Sequence, residues 1–146
     1  GSMGCASSLA LGFALAQPRR RVLVIDGDGA ALMRMGNLAT VGACAPPNYV
    51  HLLLDNEVHD STGAQATVSG GIDFPAIAAA CGYRRVLTGD FTRSVPEAIQ
   101  AGEAAAGPVF VHVKTAPGTI ADLPRPKMTP VEVLDRFMAH AGTRFG

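Results

Sequence analysis

The apolar positions along the chain fall in short blocks, each closed by Gly, Pro, Asp or Asn. Residues 22–25, Val-Leu-Val-Ile, form a near-continuous apolar run, the pattern of a strand covered on both faces. Residues 49–54 form a second such run, opening after Pro46-Pro47-Asn48. Residues 85–88 and 109–113 predict two further short strands. Helical signals lie between them. Residues 4–17 are rich in Ala and Leu, with Ala6, Ala10 and Ala14 regularly spaced, and predict a helix packed closely on a sheet and ended by Pro18. Residues 30–43 predict a second helix, with Met33, Asn37 and Thr40 on one stripe. Asp73-Phe74-Pro75 predicts a helix start with Asp73 as N-cap, and Gly82 the stop just after Cys81. Ser94-Val95-Pro96-Glu97 has the capping-box form and opens a helix toward Ala106. Residues 131–141 predict a last, amphipathic helix with Val131, Leu134, Phe137 and Met138 apolar. Alternating strands and helices imply parallel βαβ units, hence an α/β fold: three-layer α/β/α with a mostly parallel sheet. Two segments stand outside the pattern. Residues 116–130 read as a proline-rich crossing segment. Residues 56–71 lack clear periodicity, and a loop this long in a compact domain is functional or mobile.

Composition bounds the partners. The 146 residues are 48% apolar and 16% charged, enough for one globular domain spanning 1–146. Net charge is zero, and the only basic run, Arg19-Arg20-Arg21, reads as a solvated turn, so nucleic acid is not an expected partner. No apolar stretch is long enough to span a bilayer, and residues 10–16 are too short, without a basic lead-in, for a signal peptide. Cys5, Cys44 and Cys81 form no metal-type or redox spacing, which fits a reduced, cytoplasmic chain with buried thiols. His51 and His112 alternate with apolar neighbours and read as satisfied core or sheet-face histidines. His140, Arg34 and Asn37 read as surface, and Met33 and Met35 as packing.

The chemistry gathers where strands end. Gly27-Asp28-Gly29 follows the first apolar run after the single residue Asp26, and Asp55-Asn56 closes the second. Open parallel sheets bind ligands at these C-terminal strand ends. Asp28 and Asn56 are hard oxygen donors suited to Mg²⁺, and the glycines let a phosphate approach the backbone at a helix N-terminus. On the residues alone, Gly-Asp-Gly equally describes a tight turn with Asp28 capping a helix at Ala30. His59 and Asp60 are suited to substrate contact or proton transfer, or form a solvated loop pair. Ser61 and Thr62 offer hydroxyls to anionic oxygens or to a turn. The Gly-x-Gly-x-x-Gly turn of nicotinamide enzymes does not follow a strand anywhere.

The order strand, Gly-Asp-Gly, helix, strand, Asn, with Asn56 28 residues after Asp28, resembles the thiamine-diphosphate-dependent decarboxylases of 2-oxo acids. Residues 55–68, Asp-Asn-Glu-Val-His-Asp-Ser-Thr-Gly-Ala-Gln-Ala-Thr-Val, resemble most the branch acting on phosphonopyruvate, and also sulfopyruvate decarboxylase subunits. Residues 117–126 are a looser echo, with Ile120 where a basic residue is expected. The resemblance covers essentially the whole chain and implies its diphosphate-binding domain. It assigns Mg²⁺ to Asp28, Asn56 and the carbonyl of Val58, and the diphosphate to Gly27, Asp28, Gly29, Ala30 and Ser61. Gly1-Ser2-Met3 resembles the start of the same domain, where Gly1 would hold the aminopyrimidine and Met3 wedge the cofactor; it also reads as a cloning remnant. His59 and Asp60 become the catalytic candidates. The activating glutamate sits on a pyrimidine-binding domain absent from this chain. The resemblance therefore implies that domain or subunit as partner, a homo- or hetero-oligomer, a small anionic 2-oxo acid substrate and an enzyme inactive as this chain alone. A non-catalytic Rossmann-like module is the contrasting expectation.

Overall fold

The computed structural model describes residues 2–89, 95–97, 100, 106–124 and 126–142. Four parallel strands form the main sheet in the order β1-β2-β6-β5: β1 (Val22–Gly27), β2 (Tyr49–Asp55), β5 (Arg85–Gly89) and β6 (Val109–Lys114). The helices are α1 (Ala6–Ala16), α2 (Asp28–Met33), α3 (Asn37–Cys44), α4 (Phe74–Ala80) and α5 (Pro130–Ala141). Apolar residues leave both faces of the sheet, which makes it the middle layer of an α/β/α arrangement. On one face Val24, Tyr49, Leu53 and Phe110 pack against Leu11, Val41, Phe74 and Ala78 of α1, α3 and α4. On the other, Val50, Leu52, Val109, Val111 and Val113 form a second cluster that includes Val95. The helix expected from Ser94 to Ala106 lies largely outside the described residues.

Local signals set most boundaries. The Asp73 side chain accepts from the Ala76 N–H at 2.9 Å, capping α4, and Gly82 follows at φ +101°. Asn48 donates to the Ala14, Gln17 and Arg20 carbonyls, pinning the end of α1 beside the start of β2. His51 is buried as expected but only half satisfied: Nδ1 lies 3.1 Å from the Tyr83 hydroxyl, while Nε2 has no hydrogen-bond partner among the described residues and lies 3.6 Å from Asp26. Arg19 to Arg21 form an exposed turn.

Five expectations need correction. The helix predicted over residues 30–43 is two helices, α2 and α3, separated by a turn at Arg34 to Gly36. Asn37 Nδ2 donates to Ser7 Oγ at 3.0 Å, which sets α3 against α1 instead of leaving Asn37 on the surface. Strand β1 is not covered on both faces: Leu23 and Ile25 are 44% and 57% exposed, because β1 is an edge strand whose second face no described helix covers. Cys44 is exposed, and Cys5 and Cys81 are half-buried. Residues 56–71 are structured locally as a hairpin of β3 (Val58–His59) and β4 (Gln65–Ala66), with one 3-10 turn (Asp60–Thr62) joining its strands and a second (Ser69–Gly71) after it. Among the described residues no helix is long and apolar enough to cross a membrane.

Helix α5 carries a full capping box. Thr129 N–H and Oγ1 donate to the Glu132 carboxylate at 2.7 and 2.8 Å, and the Glu132 N–H returns a bond to Oγ1. These bonds hold the Glu132 carboxyl below the usual range. A depressed folded-state value contributes stability above the unfolded value and loses it as pH falls through the folded one. Acidification below about pH 4 is therefore expected to fray the first turn of α5, while change above that leaves it intact. Faster amide exchange at residues 131–133 in acid, absent in Glu132→Gln, is the check.

Candidate cofactor site at the strand tips

Strands β1 and β2 are adjacent and in register from Val22↔Tyr49 to Gly27↔Leu54. Their C-terminal ends therefore deliver Asp28 and Asn56 side by side. A cavity of about 430 Å³ opens there, lined by Met3, Gly27, Asp28, Gly29, Ala30, Leu54, Asn56, Val58, His59, Asp60, Ser61, Thr115, Ala116 and Gly118. Of the predicted site residues, Gly1 lies outside the described residues. Ser2 is exposed, does not line the cavity and accepts from the Cys5 N–H through its carbonyl. All the others line one space.

Asp28 is buried, 2% exposed. It is not an N-cap: Gly27 holds that position, Asp28 is the first residue of α2, and no side-chain cap bond forms. Among the described residues no cation pairs with it. A buried carboxylate without a counter-charge is costly unless an ion or strong donors meet it. One donor is present, the Thr67 hydroxyl at 2.5 Å.

Asn56 is oriented at both ends of its amide. Oδ1 accepts from the Val58 N–H at 3.2 Å, and Nδ2 donates to Asp60 Oδ2 at 2.7 Å. The intervening Glu57 sits at φ +63°, the left-handed turn that this Asx bond closes. The same Asp60 oxygen accepts from the Gly118 N–H at 2.9 Å, tying the crossing segment to the strand tip. Asp60 is thus engaged as an anchor. His59 rests on Gly29, where a Cβ would overlap Cε1 and Nδ1 of the imidazole, so that glycine seats the ring. The Thr62 hydroxyl contacts the His59 carbonyl and Gln65 Oε1 and serves the turn. Ser61 stays exposed at the cavity.

Behind this rim lies a cluster that the sequence reading missed. Asp55 is fully buried, and its four acceptor sites meet four donors. Oδ2 lies 2.8 Å from both His112 Nε2 and Lys114 Nζ. Oδ1 accepts from Ser69 Oγ at 2.8 Å and from the Glu57 N–H at 3.2 Å. Burial pushes the Asp55 carboxyl up, but the bonds from Lys114, His112 and Ser69 outweigh it and hold it below the ordinary carboxylate range. His112 is the satisfied sheet-face histidine expected. The available signal was an acid ending the buried run Leu52-Leu53-Leu54; nothing local marked Thr67 or Ser69.

Among the described residues no group of three or more His, Cys, Asp or Glu could hold a metal. Asp28, Asn56 and a backbone carbonyl would be an all-oxygen, one-charge set. That set suits Mg²⁺, which binds through one or two carboxylates together with phosphate oxygens.

Residues 1–113 match the family described as thiamine pyrophosphate enzyme, C-terminal TPP binding domain. The chain is 52% identical over 143 residues to phosphonopyruvate decarboxylase of Streptomyces viridochromogenes, covering 98% of this chain and 36% of that protein. It is 41% identical over 138 residues to sulfopyruvate decarboxylase subunit beta of Methanothermobacter thermautotrophicus, covering 94% and 71%. Among solved structures, a thiamine diphosphate-dependent 4-hydroxybenzoylformate decarboxylase of Rhodococcus jostii superposes with TM-score 0.66 at 24% identity, over 78% of this chain and 23% of that one, a likeness of fold. The chain spans about a third of the phosphonopyruvate decarboxylase that it matches. With the strand-tip cavity and these matches together, the chain belongs to the thiamine pyrophosphate enzymes, as their C-terminal cofactor-binding domain.

Proposed function

We propose that this chain is the diphosphate-binding part of a phosphonopyruvate decarboxylase, which converts 3-phosphonopyruvate to phosphonoacetaldehyde and CO₂ without oxidation. The observation that carries this is the meeting of a buried Asp28, paired with no cation among the described residues, with Asn56 and Val58 in one cavity at adjacent strand tips. Asp28, Asn56 and the Val58 carbonyl would hold Mg²⁺. The backbone of Gly27 to Ala30 and the Ser61 hydroxyl would receive the diphosphate, and Met3 would contact the cofactor's body; Gly1 and Ser2 would complete that end. Thiamine diphosphate, when bound, supplies the electron sink for decarboxylation.

The chain's own groups orient and carry protons. Asp60 fixes the Asn56 amide, and His59, seated on Gly29 at the cavity, is the group placed to contact substrate or move a proton. No Lys or Arg lines the cavity among the described residues, so the cation for a phosphonate comes from elsewhere. That supports a pyrimidine-binding domain or subunit as partner within an oligomer, which would also bring the activating glutamate. Three free cysteines support a reducing, cytoplasmic setting. The second reading, a sulfopyruvate decarboxylase subunit, is favoured by coverage of 71% of such a subunit; assay of both acids separates the two.

With three protein oxygens and one charge, neither metal nor cofactor has a complete site alone. Titration calorimetry of the full-length protein is expected to show thiamine diphosphate binding strengthened at least about tenfold by Mg²⁺, and Mg²⁺ binding strengthened equally by the cofactor. A non-catalytic Rossmann-like module would show no such mutual dependence, and that result would overturn the proposal.

A further inference from the structure

The hydroxyl contacts behind Asp28 assign a role to residues that no metal-ligand pattern marks. Thr67 Oγ1 lies 2.5 Å from Asp28 Oδ2 and 3.0 Å from Ser69 Oγ, and it accepts from the Ser69 N–H at 3.3 Å. Ser69 Oγ lies 2.8 Å from Asp55 Oδ1. These are three oxygen–oxygen contacts with two hydroxyl protons to fill them. Ionised carboxylates only accept, so each must receive a proton from its neighbouring hydroxyl. Thr67 therefore donates to Asp28, Ser69 donates to Asp55, and the contact between the hydroxyls holds no proton. The Thr67 bond is short, as bonds to an ionised acceptor are. Its direction is fixed, because the Ser69 proton fills the fourth acceptor site of Asp55, whose other three are taken by Lys114, His112 and the Glu57 N–H.

We infer that Thr67 is a positioning residue for the metal site: it engages Oδ2 of Asp28 and presents the other oxygen toward the cavity, and Ser69 and Asp55 hold it in that role. This rests on the proposed function, since it concerns the same carboxylate. A ligand's outer-shell hydrogen-bond partner is typically worth about 10 to 100-fold in metal affinity. Threonine supplies that donor; valine has the same shape without it.

The test is the Mg²⁺ concentration that half-saturates thiamine diphosphate binding, by calorimetry on the full-length protein carrying Thr67→Val or Thr67→Ser. Ligand-free unfolding midpoints are measured in parallel. Thr67→Val is expected to raise the Mg²⁺ requirement about 10 to 100-fold, and Thr67→Ser to restore most of it. The valine midpoint is expected to lie below the serine one, since buried Asp28 loses its donor, and binding is measured where both variants are fully folded. A folded valine variant with the wild-type requirement overturns the inference. So does a loss that serine shares. Asp28→Ala separates the two levels. If it too binds normally, the proposed function fails; if it alone loses binding, only the role of Thr67 fails.

Discussion

Asp28→Ala is expected to abolish Mg²⁺-dependent binding of thiamine diphosphate, a weakening of roughly a hundredfold or more. The substitution removes the only charged group in the proposed ligand set. Removing one partner from a buried charge pair costs about 3 kcal/mol or more, which is the same hundredfold in a binding constant. The fold should not suffer with it. Asp28 is 2% exposed and has no cationic partner among the described residues, so without ligand its charge is a burden on the native state. Denaturant unfolding of the ligand-free variant should match the wild type within about 1 kcal/mol, or exceed it. Binding at wild-type strength would remove the metal assignment.

Gly42→Ala is expected to destabilise the chain by about 2 kcal/mol, against the usual trend. In a helix interior, alanine is ordinarily favoured over glycine by about 1 kcal/mol. Here α3 and the end of α4 approach so closely that a Cβ at Gly42 would overlap the backbone carbonyl of Cys81. Backbone cannot swing aside as a side-chain tip can, so the helices must separate. Overpacking of this kind costs about 1 to 3 kcal/mol and sometimes more, which exceeds the propensity gain. A shift of the urea midpoint to lower concentration is the expected reading; a shift to higher concentration would show that α3 and α4 do not touch there.

Much of this architecture was legible in the residues. The strands are buried apolar runs closed by strong punctuation, so β1, β2, β5 and β6 were placed within a residue or two. Asp28 and Asn56 were readable because each lies within three residues of the end of such a run, and register then sets them together. What escaped was set by tertiary contact. Thr67 and Ser69 meet Asp28 and Asp55 only once the hairpin folds back, across 39 and 14 positions. The strands of that hairpin have two residues each, too few to display a period. Leu23 and Ile25 looked buried because hydrophobicity reports what a side chain favours and not whether a neighbour covers it. The break at Arg34 to Gly36 lay inside a stretch with good helix formers on both sides, where local propensity is a weak guide.

The anchoring of Asn56 accounts for an amide at a position where an acid would add charge toward the proposed magnesium ion. Aspartate at this position would offer a second negative oxygen but surrender the NH₂ group, and two carboxylates would then face each other across the 2.7 Å now bridged by a proton. The resulting repulsion would reach Gly118 through the shared Asp60 oxygen and loosen the crossing segment from the sheet. The neighbour, more than the proposed metal, dictates asparagine; an isosteric exchange there trades a latch for a wedge.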